Sequence, residues 1–177
     1  MRKVVVYELL SLDGVAEAPE NFFGWDDALD ARLGSTIATQ DAVILGRRTY
    51  DEWAGFWPKS DIEPFAGFIN GVTKHIATSS ALEVGWAGSE VIAGELVSFV
   101  RDLKARSGGD IGVHGSISVA RTLLEAGLVD ELVLVVGPMT VGHGRRLLDD
   151  LPPRTLELTG SETTPSGYMT SAYWVKP

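Results

Sequence analysis

Apolar runs and one-sided helical patterns alternate along the chain, with turn residues between them. Lys3–Leu9 reads as a buried strand, and a long segment, Leu10–Trp25, follows with Gly14, Pro19, Asn21 and Gly24. From Trp25 to Thr39 the apolar residues Leu29, Leu33 and Ile37 fall four apart, the spacing of one helical face. Ala42–Leu45 predicts a strand, Arg47–Trp53 a helix, Phe56–Pro64 a loop and Phe65–Asn70 a short helix. Val72–Ala77 predicts a strand that runs into Thr78-Ser79-Ser80. Glu90–Ala93 predicts another, and Gly94 turns it into a helix over Glu95–Arg106 that Ser107-Gly108-Gly109 stops. Ile111–His114 is a strand, Ser116–Ala126 a helix closed by Gly127, and Glu131–Val136 a strand. Thr155–Thr163 and Tyr168–Val175 form two last strands joined through the turn Pro165-Ser166-Gly167. The second of them, with Tyr168, Thr170, Ala172 and Trp174 alternating, reads as half-buried sheet. Strands alternating with helices imply parallel βαβ units, and the closing hairpin implies an antiparallel edge. The pattern predicts an α/β fold, a mostly parallel sheet flanked by helices.

Composition narrows the function classes. At 177 residues, 45% of them apolar, the chain is expected to form a single domain over residues 1–177. It contains no cysteine, which excludes disulfides, thiol chemistry and zinc–thiolate sites. Met1-Arg2-Lys3 leads straight into Val4-Val5-Val6-Tyr7, too short a run for a signal peptide, and no stretch has membrane-spanning length. A cytoplasmic location with no membrane partner is the expectation. A net charge of -9 argues against nucleic acid as a partner. Any anionic ligand must be held locally.

Ligands of such sheets sit outside the carboxyl ends of the strands, and four segments fall there. In Gly46-Arg47-Arg48-Thr49 a buried strand feeds a helix whose first N–H groups and positive dipole end suit a phosphate. The same segment also fits an ordinary turn with solvated arginines. Thr78-Ser79-Ser80 offers three hydroxyls, or simply turn residues. His114-Gly115-Ser116-Ile117 again joins strand to helix through glycine, for close ligand approach or for tight packing. Gly142-His143-Gly144-Arg145-Arg146 is a flexible basic loop without the third glycine of a dinucleotide fingerprint.

Ser11-Leu12-Asp13-Gly14, Leu45-Gly46-Arg47-Arg48-Thr49-Tyr50 and Gly108–Ser116, taken in order, resemble the dihydrofolate reductase-like fold. Leu123–Leu132 and Pro138–Leu147 look most like the branch containing the reductase domain of the bifunctional riboflavin-biosynthesis deaminase/reductase and its stand-alone relatives. The resemblance runs from residue 3 to residue 175. It implies a three-layer α/β/α architecture and an NADPH-dependent reductase, a homodimer, that passes a hydride to a small heterocyclic substrate. By the same resemblance Gly46, Arg47, Arg48 and Thr49 hold phosphates, and Thr78, Ser79 and Ser80 take the adenosine 2′-phosphate. Gly115, Ser116 and Ile117 approach the pyrophosphate and nicotinamide, and the loop with Asp13, itself a catalytic candidate, and Gly14 closes over the ring.

The sequence also departs from that pattern. His114 stands where the family usually has the first of two glycines, so it would crowd the pyrophosphate or replace a contact. In dihydrofolate reductases a carboxylate on the first helix grips the substrate ring and supports its protonation. Counting back from Gly46 places Asp30 there; Asp26, Asp27 and Asp30 are equally a solvated helix face. Phe22-Phe23-Gly24-Trp25 replaces the proline–tryptophan pair of folate enzymes, and its aromatics fit ring stacking, core or an oligomer seam. Trp53, Phe56 and Trp57 fit a capping core or dimer contact better than a pocket mouth. A riboflavin-pathway substrate needs a phosphate clamp, for which Arg145, Arg146 and Lys59 are the candidates. With no cysteine for a zinc deaminase site, the bifunctional enzyme is not expected. A folate reductase and a non-catalytic nucleotide-binding module are the alternatives. The glycine and proline content of the first loop points to mobility.

Overall fold

A computed structural model describes residues 1–176. Eight strands form one sheet in the order β4-β3-β2-β5-β1-β6-β8-β7. They are β1 Val4–Leu10, β2 Gln40–Gly46, β3 Thr73–Ala77, β4 Ser89–Val91, β5 Asp110–His114, β6 Glu131–Val136, β7 Leu156–Thr163 and β8 Met169–Val175. All ladders from β4 to β6 are parallel, and β8 runs antiparallel to both β6 and β7. The alternating pattern with a closing hairpin is thus borne out. Five α-helices cover the sheet: α1 Asp27–Ile37, α2 Arg47–Phe56, α3 Phe65–Gly71, α4 Leu96–Ala105 and α5 Ile117–Glu125.

Strand alternation sends successive side chains to opposite faces and so builds two cores. Val4, Val6, Ile44, Ile111 and Val113 pack against Val100, Leu103, Ala120 and Leu123 of α4 and α5. Val5, Tyr7, Val43, Leu45 and Ile76 pack against Leu29, Leu33, Tyr50 and Ile69 of α1, α2 and α3. This is the three-layer α/β/α architecture that the resemblance implies. The first helix is shorter than its apolar spacing predicts, because Asp26 caps it by accepting the Leu29 amide at 2.9 Å. The last strand alternates less cleanly than predicted: Ser171 is buried with Thr170 and Ala172, and Trp174 is exposed.

Two buried lysines show how polar groups are accommodated in this core. Lys74 donates to the carbonyls of Ile69 and Val72 at 2.8 and 2.9 Å and lies 4.6 Å over the Trp86 ring. Lys104 donates to the Leu128 carbonyl at 2.8 Å and to Asp130, which also accepts the Val4 amide at 2.7 Å. Asp130 therefore ties α4 to the starts of β1 and β6. Its replacement leaves a buried ammonium with one partner fewer. Asp130→Ala is expected to lower stability by about 3 kcal/mol in urea unfolding, with part of the loss recovered when Lys104→Met is added.

Candidate active site

The strand order reverses around β5 and β1, so the carboxyl ends of β2, β5 and β1 surround an opening at the edge of the sheet. Pairing between β1 and β5 stops at Tyr7↔His114. Beyond that pair β5 turns away through Gly115, whereas β1 continues to Leu10 beside β6. The gap divides into two adjoining cavities with Pro19, Trp53 and Gly115 common to both.

The first cavity, about 370 Å³, collects the predicted phosphate-binding segments. Gly46, Arg47, Arg48, Thr49, Gly115, Ser116 and Ile117 all line it. A short relay joins the two strand ends. The Gly46 amide donates to Ser116 Oγ at 3.0 Å, Ser116 Oγ donates to Thr49 Oγ1 at 2.9 Å, and Thr49 Oγ1 donates to the Gly115 carbonyl at 3.1 Å. Neither α2 nor α5 has a side-chain cap, so the opening N–H groups of both are left for a ligand. This donor set fits a dinucleotide diphosphate. Gly115 sits at φ 61°, and a Cβ there would lie 3.0 Å from Trp53 Cζ2.

Both arginines already have partners. Arg47 donates to Asp51, and its Nη1 reaches Ser80 Oγ at 2.7 Å and the Ala81 carbonyl at 2.8 Å. Ser80 is thereby brought to the arginine, while Thr78 and Ser79 line a shallow hollow beside Glu95 that shares Ala77 and Leu96 with the first cavity. Arg48 donates to Glu52 at 3.1 Å and to Glu17 at 3.0 Å. The Arg145 amide first, and Arg48 after it, hold the Glu17 carboxyl below the usual carboxylate range.

Asp13 lies outside both cavities. Its carboxylate accepts from Ser11 Oγ at 2.7 Å and from the amides of Val141 and Gly142 at 3.0 and 2.8 Å. Those donors, the Val141 amide foremost, pull its pKa far below the usual carboxylate range. In place of a catalytic group the structure gives a clamp between the first loop and the Val141–Arg146 segment. Arg146 reinforces it by donating to the Asp13 carbonyl at 2.8 Å, and the Ala16 amide donates to Arg145. Gly and Pro content points to a free loop, but the ladder of bonds on its far side pins it.

The second cavity, about 320 Å³, is walled by aromatic rings, Trp25, Trp53, Trp57 and Phe65 among them. Asp30 lines it and accepts from Trp25 Nε1. Trp53 and Trp57, expected as core or contact residues, are cavity wall, whereas Phe56 is exposed. Of the aromatics before α1, Trp25 reaches the cavity and Phe23 packs on Tyr168 with ring centres 4.8 Å apart. His114 does not crowd the first cavity. Its ring lies on the α1–α3 side against Phe65 and Phe68, with Nε2 2.8 Å from Gln40 Oε1. Gly112 leaves room for that pair, since a Cβ there would fall 2.1 Å from Gln40 Oε1.

Glu8 is the site residue that the pattern of the sequence does not bring out. It borders the second cavity just past the last β1–β5 pair, is 2% exposed, and its Oε1 is buried without a hydrogen-bond partner. Burial pushes its pKa up to about 8. One acidic letter in an otherwise apolar strand, Val4–Leu10, is the signal that marks it.

The chain belongs to the family of the RibD C-terminal domain, which matches residues 2–170. It is 25% identical to the uncharacterized protein YyaP of Bacillus subtilis (strain 168) over 179 residues, 97% of this chain and 94% of that protein. A putative riboflavin biosynthesis protein from Shewanella sp. PV-4 shares the fold with a TM-score of 0.79 at 18% identity, over 99% of each chain. A diaminohydroxyphosphoribosylaminopyrimidine deaminase/5-amino-6-(5-phosphoribosylamino)uracil reductase from Thermotoga maritima does so with a TM-score of 0.71 at 15% identity. The match covers 99% of this chain and 57% of that one. The dihydrofolate reductase-like architecture is thereby shown.

Two outcomes follow from this geometry. A carboxyl that titrates at about 8 when folded and near 4.5 when free binds more protons in the folded state between those values, so stability falls as pH rises through that window. His114, buried and pushed down from 6.5 to about 3, acts in the opposite direction, and its contribution is lost as pH falls from 6.5 towards 3. Glu8→Gln is therefore expected to gain stability over the parent at about pH 8 and little at about pH 5, measured by urea unfolding. Gly115→Ala forces a side chain into a left-handed backbone against Trp53 and is expected to cost about 1–2 kcal/mol in the same assay.

Proposed function

We propose that this protein is an NADPH-dependent reductase that transfers a hydride to a small heterocyclic substrate, in the manner of the riboflavin-biosynthesis reductases. The observation that carries the reading is the juxtaposition of two uncapped helix N-termini, α2 and α5, beside an aromatic cavity that shares Trp53 and Gly115 with them. Gly46, Thr49, Gly115, Ser116 and Ile117 hold the diphosphate. Arg47 with Ser80, and Ser79 and Thr78 beside them, take the 2′-phosphate, with Arg48 released from Glu17 as the anion binds. A reduced nicotinamide supplies the hydride when bound. The protein's part is to set the ring and the substrate face to face at the β1–β5 gap and to exclude water there. Asp30 anchors the substrate ring from α1.

The test is titration with NADPH and with NADH, following energy transfer from the tryptophans to the reduced nicotinamide. Trp53, on the boundary of the two cavities, makes this a local readout. NADPH is expected to bind far more tightly than NADH. Arg47→Ala and Ser80→Ala should each weaken NADPH by about tenfold while leaving NADH nearly unchanged, the size expected for one charge-assisted contact. Absence of binding by either nucleotide would overturn the assignment.

A further inference from the structure

The charged side chains on the wall of the second cavity are carboxylates. Asp30 and Glu63 line it, and among the described residues no lysine or arginine belongs to its wall. The cations that could serve a phosphate are placed elsewhere. Arg145 lines the first cavity and donates to Ser118 Oγ at 2.8 Å. Arg146 is spent on the Asp13 carbonyl, and Lys59 does not reach the wall. Arg32, two residues beyond Asp30 on α1, has a buried Nε without a partner, yet it also stays outside the cavity lining. Its field and that of Asp30 act on Tyr7 in opposite senses.

A phosphate group binds where guanidinium, ammonium or clustered N–H donors meet it. Here a dianion would face carboxylates across a space with aromatic walls, and like charges brought together in such a place are strongly disfavoured. The same walls favour the opposite ligand. Ring N–H groups can donate to Asp30 and Glu63, and indole faces attract a delocalised cation.

Resting on the reading of the second cavity as the substrate site, we infer that the substrate carries no phosphate and is a flat, neutral or cationic nitrogen heterocycle. This separates the protein in substrate class from the Thermotoga maritima enzyme, whose name specifies a phosphoribosylamino-uracil. The fold keeps its phosphate-binding equipment for the cofactor cleft, and the neighbouring cavity selects by ring shape and positive charge.

The experiment is a charge series on one ring size, read by tryptophan quenching with and without saturating NADPH. The probes are 2,4-diaminopyrimidine, uracil, orotate and 5-amino-6-(5-phosphoribosylamino)uracil. Affinity is expected to fall in the order cation, neutral, anion, with at least about a tenfold interval between diaminopyrimidine and orotate. The phosphorylated compound should bind no better than orotate. The double variant Asp30→Asn, Glu63→Gln should compress the interval towards equality, and an unchanged urea-unfolding midpoint separates lost charge from lost folding. Equal or tighter binding of orotate or of the phosphorylated compound would overturn the inference, as would failure of every ring to bind at millimolar concentration. Because the series is run without NADPH as well, a failure of cofactor binding is seen separately from a failure of the substrate class.

Discussion

The amide of Gly46 gives its hydrogen to Ser116 Oγ, and the ends of β2 and β5 are held side by side. Everything that faces a ligand depends on that connection. It passes through Thr49 to the Gly115 carbonyl, so the first turns of α2 and α5 are set by one continuous relay of hydroxyls and backbone groups. The relay uses the Ser116 hydroxyl that would otherwise cap α5, glycine at the start of α2 has no side chain to cap with, and the helix-opening amides are left to the cleft. A cleft rich in N–H donors arises on a chain whose net charge is -9. Local backbone geometry, and not overall charge, makes that possible.

Next to this polar surface the sheet opens into a dry one. The early departure of β5 after His114 removes a neighbour from Glu8, Leu9 and Leu10 on that side of β1. Aromatic residues from α2, from the turn after it and from the segment before α1 close over the gap. A surface of backbone and hydroxyl donors and an aromatic one thus fall on opposite sides of a single glycine turn. The buried acid Glu8 and the neutral His114 lie at the same level of the sheet, each without a countercharge. Such groups are tolerated in a core only when the surrounding fold holds them there, which is typical of functional clefts.

Much of this was legible in the chain. Apolar runs gave the central strands β1, β2, β5 and β6, because a parallel strand buried on both faces has no competing pattern. The lining of the first cavity was legible too, since a strand–glycine–helix junction is a local feature written in consecutive letters. The substrate side was not. Asp13 stands in a conspicuous Asp-Gly turn, yet its carboxylate is used by amides of Val141 and Gly142, more than a hundred residues away. His114 appeared to threaten the cofactor because local reading places it beside Gly115, whereas strand alternation turns its ring to the other face. Glu8 was hidden for the opposite reason: one acidic residue in a strand says little until the end of a neighbouring strand shows what it faces.

Trp53 and Gly115 belong to both cavities at once, and this has a consequence for how such proteins diversify. A smaller residue at position 53 enlarges the second cavity and, in the same step, removes the surface against which the Gly115 turn is packed. A larger residue at position 115 does the reverse. Lineages that alter this partition to reshape the second cavity must rebuild the glycine turn of the first as they do so. Change is cheaper at the outer rim, at positions such as Ile62 and Glu63, which border the second cavity alone. Divergence of the second cavity beside an unchanged first one should accordingly be recorded first in the segment before α3.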